Sequence, residues 1–225
     1  MTAISGYVDR NEKIIGLVRK KNVLHVGCIG FADSSVDEKV SNSEKTLHAA
    51  ITKSAANAIG IDNDCQTIAE LNDLGVFENV ICGDAERLSE IRVLDNKKLD
   101  IVVAGDIIEH LSNPGLMLDG IRNLIDETGV LVVSTPNSFG FVAWIKFMFN
   151  RFKEGEQHVL CFNEITLEQL LVRHGFRVSE ALSCFHPQAK ERFGLGFAAL
   201  RKVLGLFPRF GGTLIYVCKI DPKSY

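Results

Sequence analysis

Residues 99–137 read LDIVVAGDIIEHLSNPGLMLDGIRNLIDETGVLVVSTPN, and this stretch decides the fold. Two short runs, Leu99 to Gly105 and Gly129 to Thr135, are almost continuously apolar and rich in valine and isoleucine. A strand buried on one face alternates apolar with polar residues, so a continuous run means both faces are covered, as in the middle of a parallel sheet. Between the runs, Leu116, Leu118, Ile121, Leu124 and Ile125 recur at near-helical spacing from Pro114 to Asp126. Proline suits the first turn of a helix, and Gly129 follows as a stop. Strand, helix and strand in that order read as two parallel strands joined by a crossover helix.

Working outward, Val23 to Gly27, Asn57 to Asp62 and Asn79 to Asp84 are predicted strands upstream, again separated by helical patterns. Downstream, Phe176 to Phe185 and Thr213 to Ile220 are predicted as a closing, hairpin-like pair, with a helix from Thr166 to Arg173 that ends at Gly175. The alternation defines an α/β class with a doubly wound, Rossmann-like sheet. The polar stretch Phe31 to Lys45 is long for a strand-to-helix connection and is expected to be a loop, either disordered or a lid, with a helix resuming near Thr46 to Ala55. A chain of 225 residues that is 46% hydrophobic suits one domain, residues 1–225. Within it, residues 1–135 are expected to form a cofactor-binding half and residues 136–225 an acceptor-side half.

A net charge of -3 and a pI near 6.1 provide no basic footprint for neutralising phosphates, so no nucleic acid is expected as a partner. The six cysteines have no CxxC spacing and are expected to be reduced thiols. The first residues, MTAISGYVDRNEKIIGLVRKKN, lack the apolar core of a signal peptide, and no stretch offers about 18 uninterrupted apolar residues. A cytoplasmic location is expected, with no membrane span.

In an open α/β sheet, ligands sit outside the carboxyl ends of the strands at the point where strand order reverses. The candidate cofactor-binding residues occupy those ends. Gly27, Cys28 and Gly30 follow the first strand, where glycine lets the backbone turn sharply and approach a ligand. Asp62, with Asn63 beside it, ends the second and can accept hydrogen bonds from both hydroxyls of a ribose. Asp84 and Ala85 follow the third and can meet an exocyclic amine and a ring nitrogen; Gly105 and Asp106 close the fourth. A turn or capping role is the ordinary reading of each alone, but four such ends in order point to a nucleotide.

His110 and His158 are the candidate general bases, since histidine titrates near neutral pH and both lie after strand ends. Asp106, Glu109 and His110 form a D-x-x-E-H series which, on one helical face with His158 closing the set, is a workable divalent-ion site. Asp106 as a helix cap and Glu109 as a first-turn acid explain the same residues, so no metal is expected. Two apolar, aromatic segments, Phe139 to Phe152 and Phe193 to Phe210, are expected to cover the acceptor side, forming an apolar pocket or lying on a membrane surface.

Over residues 23–180 the chain resembles the class I methyltransferases, especially the branch with the ubiquinone-biosynthesis O-methyltransferases. The resemblance is carried by VLHVGC, AIGIDND, CGDAE, LDIVVAGDIIEHLSNPGLMLDGIRNLI, GVLVVSTPN and HVLCFNEITLEQLLVRHGF, most specifically by DIIEHLSNP and STPN. It implies a mostly parallel seven-stranded sheet with an antiparallel last strand, S-adenosyl-L-methionine as cofactor and S-adenosyl-L-homocysteine as product. It also implies methyl transfer to a small-molecule acceptor, expected at oxygen and apolar or lipid-linked. Gly27 and Cys28 would line the methionine part, Asp62 the ribose, Asp84 and Ala85 the adenine, and Asp106 the near face of the site.

The chain departs from the family's Asp-x-Gly-x-Gly-x-Gly turn, with His25 for the acid, Ile29 for the second glycine and Phe31 for the third. Isoleucine does not readily take the positive φ that glycine permits. The departure keeps a second expectation open, a non-catalytic member that binds the cofactor or serves as a partner subunit. A third, an NAD-dependent oxidoreductase, needs a glycine where Ile29 stands.

Overall fold

The computed structural model describes residues 2–30, 34–95, 97–151, 155, 157–184, 201, 202 and 204–222. Among the described residues, eight strands form one sheet: β1 (Gly6–Tyr7), β2 (Asn22–Val26), β3 (Asn57–Asp62), β4 (Val80–Cys82), β5 (Leu99–Gly105), β6 (Ile125–Pro136), β7 (Phe176–Cys184) and β8 (Thr213–Ile220). Their order is β1-β7-β8-β6-β5-β2-β3-β4. β2, β3, β4, β5 and β6 pair in parallel, whereas β8 lies antiparallel between β6 and β7. This is the expected sheet, with the two-residue edge strand β1 added in parallel against β7. The last residue predicted for β7, Phe185, lies outside the described residues, as do residues 193–200 and 203 of the second aromatic segment, 31–33 of the predicted loop and Phe152.

The continuous apolar strands are explained by what they touch. In β5, Ile101 and Val103 face one layer while Val102 and Ala104 face the other, because successive side chains point to opposite sides. The first layer holds Ile14 and Val18 of α1 (Arg10–Val18) and Ile51 of α3 (Leu47–Ser54). The second holds Met117, Leu118 and Ile121 of α5 (Pro114–Leu124) and Leu167 and Leu171 of α7 (Glu164–Arg173). Deleting such a side chain, as in Ile121→Ala, costs about 2–5 kcal/mol. Tyr216 of β8 is fully buried in the same layer, and its hydroxyl donates to the Glu164 carbonyl at 3.0 Å, as a buried hydroxyl requires.

The stretch expected as a loop is partly helical. α2 (Val36–Ser41) starts at a capping box in which Ser35 and Glu38 exchange hydrogen bonds, and a short 3-10 turn, Ser43–Lys45, leads to Thr46, the cap of α3. Lys39 of α2 binds the Asp64 carboxylate at 2.8 Å, which ties the insertion to the start of α4 (Cys65–Asp73). The chain runs outward from β2 to β4, then crosses to β5 and β6 on the other side, so strand order reverses between β2 and β5. Their carboxyl ends therefore define the crevice.

Candidate active site

At the crevice, Gly27 takes φ +75° and Gly30 φ +67°, whereas Ile29 is not among the residues with positive φ. The two glycines that remain thus supply the left-handed positions of the turn. Ile29 packs inward, 6% exposed, with Cys28, Ile68, Leu71 and Val80. A side chain at Gly27 would lie 3.1 Å from the Ile107 side chain, so close packing as well as φ requires glycine there. The Cys28 thiol is buried beneath Gly60, and burial pushes its pKa well up.

Asp62 sits at the end of β3, half-buried, and its carboxylate organises this turn. Oδ2 accepts the Ile29 amide at 2.9 Å and Oδ1 accepts the Asp64 amide at 3.1 Å. A carboxylate has about four lone-pair positions, so each oxygen keeps one for a hydroxyl donor. Asn63 beside it is exposed. The Gly83 amide bonds to the Asp62 carbonyl at 2.9 Å, which brings the end of β4 alongside. There Asp84 is exposed and caps a 3-10 turn through the Glu86 amide at 2.9 Å, with Ala85 buried next to it. Cys65 and Cys82 join the same two strand ends by a disulfide, Cα to Cα 4.9 Å, which corrects the expectation of six reduced thiols.

Gly105 and Asp106 end β5 differently from expectation. Asp106 has φ +52°, and the 3-10 turn after it begins only at Ile108, so Asp106 neither caps a helix nor shares a face with Glu109 and His110. Its carboxylate turns back to the sheet. Oδ1 accepts the Ser134 hydroxyl at 2.9 Å, and Oδ2 lies 3.2 Å from the guanidinium of Arg10, whose Nε donates to the same Ser134 oxygen at 2.9 Å. Arg10, Ser134 and Asp106 form a closed ring of charge-assisted bonds. Gly105 lets Arg10 in, since a Cβ there would lie 2.6 Å from the guanidinium.

The two candidate bases come together: the His110 and His158 rings meet edge to face with centroids 4.7 Å apart. His110 Nδ1 lies 3.2 Å from the Gln157 carbonyl, while the Glu109 carbonyl accepts the Val159 and Leu160 amides at 3.0 and 3.1 Å. Glu109 is 2% exposed. Its Oε2 accepts the Thr135 hydroxyl at 2.9 Å, while Oε1 is buried with no hydrogen-bond partner among the described residues. Burial, followed by the Asp106 charge, pushes its pKa up to about 8. Glu109, His110 and His158 place one ligand atom each within 4.8 Å of one another. The STPN strand end is built into the frame: Ser134 and Thr135 as above, and Asn137 through bonds from its amide to the Arg209 and Gly211 carbonyls at 3.2 and 2.8 Å.

Beyond Asn137, Phe139, Phe141, Trp144, Leu204, Phe207 and Phe210 line an almost wholly apolar cavity of about 520 Å³. α6 (Phe141–Met148) supplies one wall. A larger cavity, about 600 Å³, lies around Asn22, Asn57 and Asn79 at the amino ends of the strands, the end opposite the crevice.

Under the glycine turn, His25 and His48 are both buried, with Nδ1 atoms 3.3 Å apart. His48 also packs edge to face on Phe77. The histidine in the acid's place thus belongs to a neutral core pair. Burial lowers both pKa values, that of His48 to about 4, and His25 is held further down by the His48 and Arg10 charges. An unfolded histidine titrates near 6.5, so the unfolded chain binds more protons below that pH. Stability is therefore fully present above about pH 6.5 and falls as pH drops toward 4, with a slope approaching about 1.4 kcal/mol per pH unit for each histidine. Urea melts at pH 7.5 and 5 (about) should show the loss, and His48→Gln should flatten it.

A methyltransferase domain family model matches residues 19–181. The chain is 32% identical over 130 residues to the ubiquinone biosynthesis O-methyltransferase of Glaesserella parasuis, covering 56% of this chain and 50% of that protein. It is 29% identical over 161 residues to a probable S-adenosylmethionine-dependent methyltransferase of Mycolicibacterium smegmatis, covering 72% and 54%. The matched region spans about half the length of these relatives. A solved S-adenosylmethionine-dependent methyltransferase from Thermotoga maritima, a possible histamine N-methyltransferase, superposes with TM-score 0.61 at 14% identity, covering 94% of this chain and 87% of that one. One from Archaeoglobus fulgidus gives 0.59 at 18%, covering 93% and 91%. With the family model matching from before β2 into β7 and the fold shared over 93% of the chain, the chain belongs to the methyltransferase domain family, of the class I S-adenosylmethionine-dependent type.

Proposed function

We propose that this chain transfers the methyl group of S-adenosylmethionine to an oxygen of a small, apolar acceptor. The observation that carries the reading is the Asp62 carboxylate, fixed by the Ile29 and Asp64 amides with one lone pair per oxygen left toward the crevice. Asp62 would hold the ribose, Asp84 and Ala85 the adenine, and the Gly27–Gly30 turn the methionine side. The cofactor supplies an electrophilic methyl on a sulfonium. The protein's task is to align the acceptor oxygen in line with it, exclude water and remove one proton. His110 or His158 takes that proton, and the aromatic cavity holds the acceptor's apolar body. The test is transfer of isotopically labelled methyl to a series of phenols with lengthening alkyl tails. The specificity constant should rise with the tail. An equal rate for all tails, or a preference for amines, contradicts this acceptor.

A second reading is favoured by the orphaned Glu109 Oε1 in the Glu109, His110 and His158 cluster, an arrangement that fits a divalent ion. Those side chains would be its ligands, and an acceptor with two neighbouring hydroxyls would be oriented by it. The two readings separate on chelation. EDTA should leave turnover unchanged if the histidines act as bases, whereas loss of turnover restored by Mg²⁺ or Zn²⁺ would establish the metal.

A further inference from the structure

No residue of α6 is buried, although its sequence is FVAWIKFM. Phe141, Trp144, Phe147 and Met148 follow one another at helical i, i+3 and i+4 steps and form one stripe. Trp144 is 54% exposed, Phe147 72%, and Phe149, just past the helix, 69%. Across the cavity, Phe207 and Leu206 are exposed as well. Folded proteins in water rarely present so continuous an apolar surface unless it binds something. The charge around it is mostly of one sign: residues 139–151, 201, 202 and 204–210 include Lys146, Arg151, Arg201, Lys202 and Arg209 and contain no aspartate or glutamate, on a chain whose net charge is -3; Arg209 is paired with Glu164, which leaves the other four cations to face outward charge.

We propose that this aromatic and basic face docks on an anionic membrane surface, with α6 lying in the headgroup plane. Charge complementarity selects that occupant. Phenylalanine and tryptophan reach the acyl boundary, while the long lysine and arginine side chains meet anionic headgroups, the arrangement of an interfacial helix. α6 has eight residues, and no described helix is long and apolar enough to cross a membrane, so the contact is peripheral. The mouth of the apolar cavity, bounded by Phe141, Trp144 and Phe207, then opens toward the lipid. The docking surface stands whether or not the chain methylates an apolar acceptor.

Trp144 is the only tryptophan, so its fluorescence reports on this helix alone. The 225-residue chain is titrated with phosphatidylcholine vesicles, with and without phosphatidylglycerol. The expected result is a blue shift and quenching by brominated acyl chains with the phosphatidylglycerol vesicles only, weakened by salt. The double variants Phe147→Ser/Phe149→Ser and Arg201→Glu/Lys202→Glu should each reduce partitioning about tenfold or more while leaving S-adenosylhomocysteine affinity unchanged. No shift, an equal shift with neutral vesicles, or a shift that follows protein concentration without lipid overturns the proposal, the last assigning the face to a second copy.

Discussion

Arg10→Ala is expected to lower the unfolding free energy by about 2–4 kcal/mol, because it leaves Asp106 and Ser134 without their shared partner at the ends of β5 and β6. The side chains are 9% and 22% exposed, so water replaces little of the lost interaction. Removing both charges costs less than removing one, since the penalty lies mainly in the stranded carboxylate. Arg10→Met combined with Asp106→Asn should therefore recover part of the loss, because asparagine keeps an oxygen for the Ser134 hydroxyl. Urea denaturation of the single and double variants checks this. Equal stabilities for Arg10→Ala and the wild type would mean that the ring contributes nothing.

Asp62→Ala is expected to weaken S-adenosylmethionine binding by about 1–3 kcal/mol, roughly fivefold to 150-fold in Kd. Two effects combine: the ribose loses its acceptors, and the Ile29 and Asp64 amides lose the carboxylate that shapes the turn. Asp62→Asn separates them, since it retains one acceptor oxygen and should fall between alanine and wild type. Titration calorimetry of the three proteins gives the order; an unchanged affinity in Asp62→Ala would remove Asp62 from the site.

The sheet was legible because its central strands are covered on both faces, and that condition writes itself into runs such as IVVA and VLVV. β3 and β5 fall where they were predicted, Asn57–Asp62 and Leu99–Gly105. β1 was not legible, since two residues carry no period and pair with β7 across the chain. α2 had a readable signal in Ser35 and Glu38, the spacing of a capping box, within a stretch too polar to show a helical face. At the site, the ordered strand ends pointed to the crevice, but the work of individual side chains depended on distant partners. Arg10 meets Ser134 across 124 positions. Nothing local to Asp106 announces its left-handed backbone, which is what withdraws it from the D-x-x-E-H face. Gly30, one position out of phase with the family turn, proved to hold the second positive φ because the turn is set by backbone geometry rather than by the motif's register. Cys65 and Cys82, 17 positions apart, meet because α4 carries the chain from the end of β3 back to the neighbouring strand β4.

The most direct measurement is calorimetric titration of the purified protein with S-adenosylmethionine, S-adenosylhomocysteine and NAD. Binding of the first two at micromolar concentration with none of NAD is the predicted result for a turn built on Gly27, Gly30 and Asp62. NAD binding, or no binding of either sulfur compound, would contradict it.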